Sequence, residues 1–144
     1  MILPDVNVLV GALREDAPHH TGLRAWLEAA VAAPEELGLT DAVLTGTVRV
    51  LTHPKVFTHP TPVVTALDQL AALRAAEGVM RVAPGPRHWD LVDRLCRAAD
   101  ARGNLVPDAT HAAVAVELGA LWVTLDRDFA RFPGLRWASP LGSA

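Results

Sequence analysis

Residues 1–13 read MILPDVNVLVGAL, and their order sets the architecture. Ile2–Asp5 is a short apolar run, the form of a strand buried on both faces. Val6–Leu13 is apolar as well and reads as a helix. A strand therefore passes almost directly into a helix, with a single carboxylate at the junction. An isolated carboxylate in such a place costs on the order of several kcal/mol unless something compensates it. Asp5 requires a partner: a cluster of backbone amides, a base or a metal ion.

The same alternation continues along the chain. The spacing of Leu23, Trp26, Leu27, Ala30 and Val31 predicts a helix over His20–Ala33, with these residues on one face. Glu36–Leu39 reads as a short strand. Thr40 or Asp41 can cap the next helix, which runs to about Thr52. Thr61-Pro62 opens another, with Val63, Leu67, Leu70 and Ala71 expected to face inward. Val79–Ala83 is a predicted strand. His88–Ala101 is a helix with Trp89, Val92, Leu95, Cys96 and Ala99 on one face. Asp108–Leu118 is a helix closed by Gly119. Leu121–Leu125 and Leu135–Ala138 are predicted strands. Short apolar strands alternating with helices imply an α/β fold, a parallel sheet covered by helices on both faces. In such sheets the working site lies beyond the carboxyl ends of the strands. Asp5 stands at one of those ends.

The 144 residues, 51% hydrophobic and 20% charged, suit one globular domain over 1–144. No apolar run approaches the ~18–20 residues of a membrane span. The N-terminus has neither the basic lead nor the cleavage site of a secretory leader. Cys96 is the one cysteine; it allows no internal disulfide, which fits a reducing cytoplasm. The formal net charge of −3 gives no support to nucleic-acid binding. It does not count against an enzyme, because a carboxylate cluster around a metal would itself push the balance negative.

Asp5 is not alone. LVPDATHAAVA sets Asp108 in the first turn of an alanine-rich helix, and VTLDRDF sets Asp126 and Asp128 just after a strand. If the first and fourth strands are neighbours, Asp5 and Asp126 leave adjacent strand ends, with Asp108 arriving from the helix between. Packed carboxylates raise one another's pKa unless a cation neutralises them. Their oxygens favour hard divalent cations such as Mg²⁺ or Mn²⁺. The partner of Asp5 would then be a metal ion, and the chemistry in-line displacement at phosphorus. Each acid also has a plainer role: Asp108 as a helix cap, Asp126 and Asp128 as turn residues.

Taken together, MILPDVNVLV, VRVLTHPKVF, GNLVPDATHAAVA and VTLDRDFARFPGLRW make the chain resemble the PIN-domain ribonucleases, in particular the VapC toxins of bacterial toxin–antitoxin pairs. The resemblance implies a three-layer α/β/α sandwich and Mg²⁺- or Mn²⁺-dependent cleavage of RNA, leaving 5′-phosphate and 3′-hydroxyl ends. It further implies a homodimer and a small antitoxin that occludes the site. Carried over, it makes Asp5, Asp108 and Asp126 the catalytic acids and metal ligands, with Asp128 assisting and Asn7 orienting Asp5 or its loop. Arg127 and Arg131 flank the site in sequence and either meet an RNA phosphate or stay solvated at the surface. One position departs from the pattern. The second family acid, often a glutamate, falls on Gly46 in LTGTVRVLTHP, and Asp41 lies about 140° away around the helix.

Other residues read plainly. No histidine pair has a zinc-ligand context. His111 follows Asp108 by one helical turn and reads either as a group that supports Asp108 or as a partly buried helix residue. His53, Lys55 and His59 in THPKVFTHP either touch RNA phosphates or cover the surface. The four tryptophans read as core or dimer contacts. There is no glycine-rich phosphate loop. Two further readings stand beside the ribonuclease: a phosphohydrolase using Asp5 as a covalent nucleophile, and a non-catalytic protein that binds RNA or an antitoxin.

Overall fold

Strands β1 (Ile2–Pro4), β2 (Leu37–Thr40), β3 (Val79–Val82), β4 (Leu121–Val123) and β5 (Trp137–Ala138) form one parallel sheet in the order β3–β2–β1–β4–β5. The computed structural model describes residues 1–142; the last two residues of the expected 1–144 domain lie outside the described residues. β1 is central, with Ile2 opposite Leu37 of β2 and Leu121 of β4.

The helices are α1 (Val6–Leu13), α2 (His20–Ala32), α3 (Asp41–Leu51), α4 (Val63–Ala75), α5 (His88–Ala99) and α6 (Leu105–Leu118), with a 3₁₀ turn at Arg127–Arg131. The chain steps outward from β1 to β2 to β3, then returns across the sheet to β4. Parallel crossovers are right-handed, so the outward steps place their helices on one face and the return places α5 and α6 on the other. The packing agrees. α1 lies on α2 and α3, and α3 on α4, whereas α5 packs on α6. The result is the expected three-layer α/β/α sandwich. Strand order reverses between β1 and β4, the position at which open α/β sheets hold their ligands.

Local sequence explains most boundaries. Thr40 caps α3, its hydroxyl accepting from the Val43 N–H at 3.1 Å, so Asp41 is free for another partner. It pairs with Arg81 at 2.7 Å. Gly119 closes α6 at φ 63°. Gly11 permits close approach of α1 and α2, since a Cβ there would stand 2.2 Å from Leu23 Cδ1. The core is continuous from Leu3, Val8 and Leu9 to Leu95, Trp122 and Phe129. A smaller cluster of Val10, Leu51 and Ala66 joins α4 to α1 and α3.

Several expectations are corrected. α6 begins at Leu105, a turn of chain before Asp108, and β2 includes Thr40. On α4 the inward residues are Ala66 and Leu70, while Val63 and Leu67 are 52% and 53% exposed and Ala71 faces solvent. That helix is apolar nearly all round, so its periodicity did not define a face. Trp89, expected in the core or at a dimer contact, is 74% exposed and so is not core. The buried stripe of α5 runs instead through Leu91, Val92, Leu95 and Ala99.

Candidate active site

Asp5 ends β1 and caps α1 at once. One carboxylate oxygen accepts from the Val6 N–H at 2.6 Å and the other from the Thr124 hydroxyl at 2.6 Å. The residue is 8% exposed. Burial raises its pKa and the Asp126 charge adds to that, while the Thr124 and Val6 hydrogen bonds pull the other way; the net direction is upward. A carboxylate so placed is firmly oriented and ready for a cation.

Thr124 is the residue that sequence reading did not single out. It lies just beyond β4, fully buried. Its hydroxyl donates to Asp5 and accepts from the Asn7 amide at 3.3 Å and the Asp126 N–H at 3.0 Å. That fills its one donor and both acceptor positions. One hydroxyl thus ties the first acid to the last. Its only sequence signal was a threonine in the apolar run WVTLD, where a shape match to valine hides it. Asn7 completes the link: its carbonyl oxygen accepts from the Leu125 N–H at 3.2 Å. It therefore orients the β4 end and Thr124, not Asp5 directly.

Asp126 follows β4 and caps the 3₁₀ turn, accepting from the Asp128 N–H at 2.9 Å. Asp108 stands on α6 with no donor to its carboxylate among the described residues, so it is not a cap. Its pKa is pushed up to about 6, first by burial and then by the charges of Asp126, Asp5 and Asp128. All four acids thus share one electrostatic field. Asp5, Asn7, Asp108 and Asp126 line a single cleft. Asp128 is exposed and does not line the cleft.

Other candidates lie elsewhere. Arg127 borders a separate depression against Trp137 and Ser139. Arg131 donates to the Ala99 carbonyl oxygen at 3.2 Å. Neither lines the acid cleft. His111 is half-buried and stacked on Trp122, ring centroids 5.3 Å apart, and burial lowers its pKa. Gly46 faces α1: a Cβ there would stand 2.8 Å from Val6 Cγ2, so Val6 occupies the side of the cleft where the departing acid would project.

Among the described residues no three carboxylate, imidazole or thiol groups close into a ready-made metal cage. The donor set still fits Mg²⁺ or Mn²⁺. The cleft's acids offer only hard oxygens, and Mg²⁺ characteristically takes one or two carboxylates and keeps several waters. The arrangement disfavours Asp5 as a covalent nucleophile, because both its oxygens are engaged and the position two residues on is an asparagine.

The PIN domain family profile matches residues 2–135. The chain is 47% identical over 141 residues to Ribonuclease VapC43 of Mycobacterium tuberculosis, covering 98% of this chain and 96% of that protein. It is 40% identical to Ribonuclease VapC25 of the same organism, covering 97% and 99%. Among solved structures it resembles VapBC2 from Rickettsia felis bound to a promoter DNA fragment, with TM-score 0.72, 17% identity and coverage of 96% and 98%. It also resembles Mycobacterium tuberculosis VapC20, described as a sarcin-ricin loop cleaving toxin, with TM-score 0.67, 21% identity and coverage of 94% and 99%. At those identities the structural likeness speaks to the fold.

Proposed function

The chain belongs to the PIN-domain family, alongside the VapC ribonucleases, and from that premise we propose that it is a metal-dependent endoribonuclease, the toxin of a toxin–antitoxin pair. The observation that carries this reading is the convergence of Asp5, Asp126 and Asp108 on one cleft at the β1/β4 reversal. Full-length relatives named as ribonucleases support it.

Asp5, Asp108 and Asp126 would hold Mg²⁺ or Mn²⁺, with Asp128 assisting. Bound there, the ion would supply a more acidic water and neutralise charge on the phosphate. The chain's own residues do the positioning. Thr124 and the Val6 N–H fix the Asp5 oxygens. Asn7 and Thr124 hold the end of β4, so that Asp126 keeps its distance from Asp5. Asp108, whose carboxylate accepts no hydrogen bond among the described residues, would supply a carboxylate that is charged near neutral pH and attracts a cation. No histidine base is needed.

A small antitoxin as partner is supported by the fold neighbours, several of which are VapBC complexes. Homodimerisation is part of the same reading. Among the described residues no helix is long and apolar enough to cross a membrane; a cytoplasmic location remains part of the proposal.

The test is incubation of the purified protein with total RNA, with and without EDTA, followed by end mapping. Discrete cuts that EDTA abolishes, with 5′-phosphate ends, are expected. Intact RNA in millimolar Mn²⁺ would favour the non-catalytic binding reading. EDTA-resistant cuts would remove the metal from the mechanism.

A further inference from the structure

The cleft that holds the acids is not acidic throughout. It continues from Asp5, Asp108 and Asp126, as one cavity of about 500 Å³, to a wall of Val10, Val50, Val56 and Phe57. That size falls in the range of roughly 300–1,000 Å³ typical of small-molecule sites. Val10 is buried in the small core, Val50 and Phe57 pack against that core, and Val56 is left 53% exposed.

The wall is also held firmly. Arg14 places its guanidinium 4.0 Å from the centroid of the Phe57 ring. The same group donates to the His59 carbonyl oxygen at 2.7 Å and to Thr61 Oγ1 at 3.2 Å, and Asp16 braces it at 2.6 Å. One arginine thus clamps the 52–62 loop onto the end of α1. A surface fixed before binding loses less freedom on binding. The loop carries charge beside its apolar pair. Lys55, the chain's only lysine, is exposed and immediately precedes Val56, and its N–H bonds to His53 Nδ1 at 3.1 Å.

Resting on the ribonuclease reading, we infer that this apolar lobe is a nucleobase subsite, which receives one unpaired base beside the bond that is cut, with Lys55 at the adjoining phosphate. An apolar wall with an aromatic, next to a cation and continuous with a phosphate-directed centre, is the combination that holds single-stranded nucleic acid. A base packed against Val56 and Phe57 cannot stay stacked in a helix.

The test uses an oligoribonucleotide spanning a mapped cut, made abasic at successive positions on either side. With wild-type protein, one position next to the cut should raise KM roughly 5- to 100-fold when its base is removed. Phe57→Leu keeps an apolar side chain in the small core, and Val56→Ser alters only an exposed one. Both should cleave the abasic RNA as wild type does and lose most of the preference for the intact base. Equal KM for every abasic RNA in wild type, or an undiminished preference in both variants, would overturn the subsite and leave the ribonuclease reading standing. In the second case the wall would belong to a protein partner. A wild-type protein that cuts no RNA would remove both.

Discussion

Asp108→Asn tests the site through stability, before any RNA is involved. The Asp108 carboxyl titrates at about 6 against an ordinary 3.8, because it is partly buried and faces the charges of Asp126, Asp5 and Asp128. An acid whose folded pKa is raised binds its proton more tightly in the native state. Its stabilising contribution is fully present below about pH 4 and is lost as pH rises through about 6. The gap of roughly two pH units corresponds to about 3 kcal/mol at 1.36 kcal/mol per unit. Water at a half-buried position screens this to about 1 kcal/mol. Asparagine matches the shape and carries no charge. In EDTA the variant should gain about 1 kcal/mol over wild type between about pH 4 and pH 7, a relative rise in Tm of roughly 3 °C. Any cost of the amide itself is the same at both pH values, so the change in the difference is the signal. Thermal unfolding followed by circular dichroism across that range measures it. A difference in Tm that stays flat with pH would refute the shared field on which the site rests.

Asp5→Asn should abolish cleavage without matching that gain, because both Asp5 oxygens accept from donors and an amide nitrogen facing one of them costs about 1–3 kcal/mol; chemical denaturation in EDTA reads the balance, and near-wild-type cleavage would exclude Asp5 as a ligand. Mn²⁺ should stabilise the wild type by about 2.7 kcal/mol at a hundred times its Kd, and a calorimetric scan showing no shift in millimolar Mn²⁺ would count against the cation. Thr124→Val leaves Asp5, Asn7 and the Asp126 N–H without their common partner, so it should lose about 1–3 kcal/mol and raise the Mn²⁺ needed for half-maximal cleavage; an unchanged metal requirement would make Thr124 structural only. Gly46→Glu alone should destabilise, since its Cβ would meet Val6 at 2.8 Å, whereas Gly46→Glu combined with Val6→Ala should tighten Mn²⁺ binding relative to Val6→Ala, and equal affinities by titration calorimetry would show that residue 46 does not face the metal.

What the sequence revealed and what it hid follow from different physics. The parallel sheet was legible because short apolar strands flanked by helices leave few other architectures. The convergence of Asp5 with Asp126 needed only that β1 and β4 be neighbours, as they are. Thr124 was hidden because a buried threonine and a buried valine leave the same pattern. The inward face of α4 was hidden because Val63, Val64 and Leu67 are exposed yet as apolar as the residues that are buried. Phe57 was hidden for a third reason. Its place in the cleft depends on Arg14, 43 residues earlier in the chain, and no local periodicity reports a clamp of that kind.

Gly46 and Val6 belong to one substitution in space, though they lie on different helices. The resemblance to the family leaves an acid missing at residue 46, and read alone that looks like a gap in the site. In the fold there is no gap. Val6 follows Asp5 directly, its N–H binds the Asp5 carboxylate, and its methyl group fills the space above Gly46. A larger residue at 46 would push Val6, and with it the amide that orients Asp5. Glycine at 46 therefore protects the geometry of the first acid, at the cost of the helix propensity that alanine would bring, about 1 kcal/mol. Residue 46 offers no carboxylate to the cleft, and Asp5 is held from both sides, by Val6 and by Thr124. Fewer charges also mean less repulsion in the metal-free protein. Glycine at 46 leaves Val6 in place, and with it the amide that binds Asp5. The expected consequence is a weaker cation affinity than the same cleft would have with a carboxylate at residue 46, with the fold and the position of the reaction unchanged.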